Sequence, residues 1–144
     1  MAAAGLVACG GPGSVSLTPP QPTGVAVEEC ADLVDALPRL VLQQEAREVE
    51  PADAPAAAWG DPAVVLRCGV ERPVQLEPSS PCLIANHVGW LADEGGDSVV
   101  VFTTIGRSTY VEVTVPTVYE QPGGALAELA PAVSSSTTEI KPCV

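Results

Sequence analysis

The chain has 144 residues and carries 18 Asp and Glu against 6 Lys and Arg with one His, a formal charge of −12. That balance disfavours nucleic acid and direct adhesion to an anionic bilayer, since both are gripped through cations on the protein. Apolar residues at 47% can fill the core of one domain, but aromatics at 3% mean that Val, Leu, Ile and Ala must fill it through many small contacts.

Near the start, Leu6-Val7-Ala8-Cys9-Gly10 sets small and apolar residues directly before a cysteine. The segment resembles the lipobox of bacterial lipoproteins, which implies a lipid on the Cys9 thiol, loss of the preceding residues and a protein tethered to a membrane outside the cytoplasm. Two features agree with it. No charged residue precedes Glu28, and setting Cys9 aside leaves Cys30, Cys68, Cys82 and Cys143, an even set that an oxidising compartment can pair completely. Residues 1–8 are too short for a whole apolar signal core and hold no Lys or Arg, so they read as a signal-peptide remnant whose start codon lies upstream. No later run is long and apolar enough to span a bilayer, so attachment is expected through lipid alone.

Residues 9–27 follow as a lipid-anchored flexible linker, because Gly10, Gly11, Pro12, Gly13, Pro19, Pro20, Pro22 and Gly24 cannot bury a face. As a coil this stretch reaches roughly 25 Å, and as polyproline-like chain roughly 55 Å. A single globular domain is expected over 28–144. It opens on a helix, with Leu33, Ala36, Leu37, Leu40 and Val41 at helical spacing, ended or kinked by Pro38. Residues 43–58 turn polar and then Pro/Ala-rich, which predicts an exposed, mobile connection.

Residues 63–68 form a short apolar run between Pro62 and Gly69, suited to a strand buried on both faces. Prolines 73, 78 and 81 make the next stretch a loop. Residues 83–91 read as one strand, with Ile84, Val88 and Trp90 on one side and Ala85, His87 and Gly89 on the other. After a turn over 93–97, residues 98–105 give a β-branched strand. Residues 110–115 then alternate, Val111, Val113 and Val115 facing inward against Tyr110, Glu112 and Thr114. Leu126, Leu129, Ala130 and Val133 recover helical spacing, with Pro131 limiting its length and 134–138 of low intrinsic order. The sum is an α+β domain with a mostly antiparallel four-stranded sheet and the N- and C-terminal helices packed on one face.

Candidate chemistry is sparse. His87 is the sole histidine, no Gly-x-Ser-x-Gly elbow accompanies it, and as a strand residue opposite Trp90 it supplies no constellation, so no catalytic residue is assigned. Asp93, Glu94 and Asp97 match no EF-hand spacing and serve more simply as a turn. One histidine and widely spaced cysteines do not make a zinc site, and neither metal nor cofactor is expected. Trp59-Gly60-Asp61-Pro62 reads as a structural entry into the buried strand, Asp61 accepting backbone hydrogen bonds. The functional alternative gathers Trp59, Arg67 and Arg72 into a partner surface, since Trp and Arg are favoured anchors.

The run from Ala56 to Gly69, Ala-Ala-Ala-Trp-Gly-Asp-Pro-Ala-Val-Val-Leu-Arg-Cys-Gly, followed by Arg72-Pro73, resembles an actinobacterial family catalogued as domain of unknown function 3515. Asn86-His87-Val88-Gly89-Trp90-Leu91, the Phe102 to Arg107 segment, Tyr110 to Pro116, and Cys30 with Leu33 and Ala36-Leu37-Pro38 are similar to it too. The resemblance implies a small secreted or lipid-anchored envelope protein and transfers no catalytic residue. Spacing leaves three pairings of the four cysteines open. Because Cys30 and Cys68 stand on the segments most like the family, the resemblance favours Cys30 with Cys68 and Cys82 with Cys143. The expected function is an exported, lipid-anchored module that binds an envelope protein, with two rivals. One is an envelope hydrolase using His87 and carboxylates such as Glu112; the other is a small-ligand carrier with a hollow between sheet and helices.

Overall fold

The computed structural model describes residues 13–93 and 96–143. In chain order the elements are β1 (Val15–Ser16), α1 (Val25–Ala36), β2 (Leu40–Val41), β3 (Gln44–Arg47), β4 (Val49–Glu50) and β5 (Ala56–Trp59). They continue with β6 (Val64–Cys68), β7 (Leu83–Ala85), β8 (Val88–Asp93), β9 (Val99–Thr104), β10 (Val111–Pro116) and α2 (Pro122–Ser136). Among the described residues the main sheet has eight strands rather than four, in the order β2-β3-β5-β6-β10-β9-β8-β7, and every neighbouring pair is antiparallel. The short pair β1 and β4 is parallel and separate.

The central strands form where alternation is strongest. Leu66 and Cys68 of β6 stand opposite Val113 and Val111 of β10, and these four, like Val64, are fully buried. The same register continues to Phe102 and Thr104 of β9 and to Trp90 of β8. These side chains share one core with Cys30 and Leu33 of α1 and with Leu126, Leu129, Ala130 and Val133 of α2, and the two helices contact each other. Burial of these aliphatic groups, each contributing about 1.5–3 kcal/mol, is the chief stabilising term. Both tryptophans belong to this core, Trp59 at 1% and Trp90 at 0% exposure, and offset the lack of other rings.

The four extra strands come from segments whose sequence hides them. Gln44–Arg47 is polar because β3 lies near the sheet edge, covered only by β2 beyond it. Ala56–Ala58 are weak strand formers, held in place by pairing with β6 rather than by propensity. Residues 43–58 are thus largely sheet, not an exposed connection. Leu40 and Val41, read as helical, instead pair with Glu45 and Gln44, since Pro38 cannot continue α1.

The expected strand over 83–91 folds back on itself. Asn86 and His87 sit at φ 46 and 71, so two left-handed residues join β7 to β8 in the manner of a tight hairpin. His87 is therefore an exposed turn residue and not a strand residue opposite Trp90. A β-carbon disfavours this conformation. Replacing His87 by Gly is expected to raise stability by about 0.5–1 kcal/mol, seen as a higher Tm; a lower Tm would mean that the imidazole makes a stabilising contact.

Two other expectations change. Much of the proposed linker lies along the domain: Val15 and Ser16 pair with Val49 and Glu50, Arg67 Nη1 donates to the Thr18 carbonyl at 3.0 Å, and Pro22 sits where a Cβ on Gly69 would fall. The helix begins at Val25, and Cys9 lies outside the described residues. At the other end α2 runs through Pro131 to Ser136, although proline removes one backbone hydrogen bond. The carbonyl left over, that of Ala127, accepts instead from Asn86 Nδ2 at 3.3 Å. Thr137, in the stretch expected to lack order, is buried and accepts from Arg107.

Candidate functional site

Cations are scarce enough that the position of each is informative. Three of the six are held internally. Arg47 Nη1 donates to the Gly60 carbonyl at 2.7 Å, and Arg107 donates through Nε to Thr137 Oγ1 at 2.6 Å and through Nη2 to the Thr137 carbonyl at 2.8 Å. Arg67 pairs with Glu112 at 2.9 Å on facing positions of β6 and β10. That ion pair is part-exposed and adds about 0–1 kcal/mol, so it orders a surface more than it stabilises the fold.

Trp59, Arg67 and Arg72 are not brought together. Trp59 pairs in register with Val64 and shares its buried face, and its Nε1 donates to the Pro38 carbonyl at 3.0 Å. Arg67 follows Leu66 on the opposite face, as strand alternation demands. Arg72 belongs to the loop beyond β6. The Trp59-Gly60-Asp61-Pro62 turn is structural, but Asp61 accepts no hydrogen bond from any described residue. The turn is held by Arg47 at Gly60 and by the Tyr119 hydroxyl, which donates to the Pro62 carbonyl at 2.6 Å. Burial, with the Asp61 charge second, raises Tyr119 above the ordinary tyrosine range and keeps that donor protonated.

The other candidates scatter as well. His87 makes no hydrogen bond to a described residue. Asp93 accepts from Gln75 Nε2 at 2.6 Å, the Asp97 carbonyl accepts from Thr117, and Glu94 lies outside the described residues. Among the described residues no three His, Cys, Asp or Glu side chains are placed to hold a metal ion. A small hollow of about 170 Å³ on the face of Arg67 brings Glu71, Asp93 and Glu112 to one place, a surplus of negative charge.

Sequence reasoning missed a cleft of about 290 Å³ that borders the same loop after β6 as this hollow. One wall is the loop after β6, with Arg72, Leu76 and Glu77; the other is the C-terminal strap, with Lys141 and Pro142, and Ile105 and Tyr110 line it between them. The strap is fixed at several points. The Ile140 and Lys141 amides both donate to the Gly106 carbonyl, at 2.7 and 3.0 Å, and Glu139 bridges to Arg107. Gly106, at φ 73, is needed here because a Cβ would strike the Lys141 carbonyl. Beyond Lys141 the Cys143–Cys82 disulfide ties the strap to the residue before β7.

The structure pairs Cys30 with Cys68, Cα atoms 5.5 Å apart, and Cys82 with Cys143, 6.0 Å apart. The first joins α1 to β6 inside the core. The second packs against Gly89 of β8, where an added Cβ would come within 2.9 Å of the Cys143 Cβ. No helix among the described residues is long and apolar enough to cross a membrane. In comparisons with known proteins, the family model described as Protein of unknown function (DUF3515) matches residues 3–142. No curated protein and no solved structure matches the chain.

Proposed function

This chain belongs to the protein family of unknown function DUF3515, and we propose that it is an exported accessory module of the cell envelope, held to a membrane by lipid on Cys9 and binding an envelope partner. The observation that carries the reading is the pair of disulfides. Each ties a terminal part of the chain to the sheet, α1 through Cys30–Cys68 and the strap through Cys82–Cys143, and two such bonds persist in an oxidising compartment rather than the cytosol. All four cysteines after Cys9 are taken up by them, which leaves Cys9 for acylation. In this reading both helices back one face of the sheet. The N-terminal segment crosses the other face by way of the Arg67–Thr18 contact and leads from the domain toward the anchor.

Expression from the natural chromosomal locus tests it. Mass spectrometry of the membrane-extracted protein is expected to find Cys9 N-terminal and diacylglyceryl-modified, with no free thiol, and Cys9→Ser is expected to release the protein from the membrane fraction. An unmodified N-terminal region together with four alkylatable thiols would overturn the proposal.

A further inference from the structure

We propose that the cleft between the loop after β6 and the C-terminal strap binds a small amphipathic carboxylate, its anionic head held by Arg72 and Lys141 and its apolar stem lying along Leu76, Ile105 and Pro142. The inference rests on the binding-module reading but not on the lipid anchor.

Charge is the first reason. Among the described residues Arg67 pairs with Glu112 and the guanidinium groups of Arg47 and Arg107 are taken up by carbonyl and hydroxyl oxygens, which leaves Arg39, Arg72 and Lys141. The side chains of Arg72 and Lys141 make neither an ion pair nor a hydrogen bond with any described residue, and these two residues line the same cleft. Leaving them uncompensated inside an acidic molecule creates a local positive site in a field that otherwise repels anions. Position is the second reason. Lys141 is held to Gly106 through its own backbone amide and lies two residues before a disulfide. Its ammonium is thereby offered to the cleft from a fixed backbone, which lowers the ordering cost of binding. Arg72 precedes Pro73, and the same loop carries a turn in which the Ser80 amide donates to the Glu77 carbonyl and the Glu77 amide to Ser80 Oγ.

The chemical class follows from the lining. Among the described lining residues Arg72 and Lys141 against Glu77 leave a single positive charge, matching a monoanion better than a dianionic phosphate monoester. Arg recognises a carboxylate through paired N–H donors. Leu76, Ile105 and Pro142 make the remainder apolar. At about 30 Å³ per water-sized group, the cleft holds about ten such groups, the size of a medium-chain carboxylate.

Octanoate titrated into the oxidised full chain, followed by calorimetry and by amide shifts, is the test. Saturable binding is expected, with shifts at Ile105, Tyr110 and Lys141. Octanol is expected to bind at least about ten-fold more weakly, and Arg72→Gln and Lys141→Gln each to weaken octanoate about ten-fold while keeping the wild-type Tm. Cys9→Ser is expected to bind as wild type, which separates this inference from the anchor. No saturable octanoate binding, equal binding of octanol, or preference for inorganic phosphate or dibutyl phosphate over octanoate would each overturn the proposal.

Discussion

Replacing Cys30 and Cys68 together by Ala is expected to lower the Tm by roughly 15–20 °C, and by more than replacing Cys82 and Cys143. The bonds close spans of 38 and 61 residues, for which restriction of the unfolded chain amounts to about 4 kcal/mol each, only slightly more for the longer span. At this chain length 1 kcal/mol moves the Tm by about 3 °C. Burial separates the two. Cys30 and Cys68 are 1% and 0% exposed and contact the core around Leu33 and Leu66, so truncating both also leaves a cavity worth about 1–3 kcal/mol. Cys82 and Cys143 are only half-buried at the end of the strap. Urea unfolding of the two double variants measures the ranking, with an unchanged slope showing that stability and not compactness has changed. A Tm insensitive to reducing agent, or a larger loss from the second pair, would contradict it.

The strands best read from sequence are those whose own residues carry the signal. Val111 to Val115 alternate strongly enough to fix both existence and facing, and the helical spacing of Leu126, Leu129 and Val133 survives in α2. Val64 to Cys68 is the expected strand, but only one face is buried, with Val65 and Arg67 half-exposed on the other. Where partners decide, sequence is silent. Gln44–Arg47 shows no alternation, and becomes a strand because Ala46 and Arg47 pair with Trp59 and Ala58. Asn86-His87 lacks the glycine that marks such hairpins, so a period-two pattern ran through a turn and put His87 on a strand face it does not occupy. The split of Trp59 from Arg67 follows from alternation once Trp59 is known to pair with Val64, but that register is tertiary information. The cleft is the extreme case. Arg72, which the sequence grouped with Trp59 and Arg67, and Lys141, which stands in no motif, come from remote parts of the chain, and the Gly106 contacts and the Cys82–Cys143 bond hold the strap that brings them to one cavity.

Pro131 is the point where local rule and fold disagree most openly, and replacing it by Ala is expected to stabilise the protein by about 1–3 kcal/mol. Its ring is exposed, so no packing is lost, and an alanine amide would restore the helical bond to the Ala127 carbonyl. In the native chain that carbonyl relies on Asn86 Nδ2 at 3.3 Å, which links the turn between β7 and β8 to the middle of α2. The two residues should therefore be energetically coupled. Asn86→Gly removes the side-chain donor while keeping a residue suited to φ 46. It is expected to destabilise the native chain by about 1 kcal/mol and the Pro131→Ala background hardly at all, a coupling of about 1 kcal/mol. Urea midpoints for the four proteins of this cycle give the answer. Additivity within about 0.3 kcal/mol would show that the Asn86 contact does not compensate the proline and that α2 tolerates its orphaned carbonyl through solvent alone.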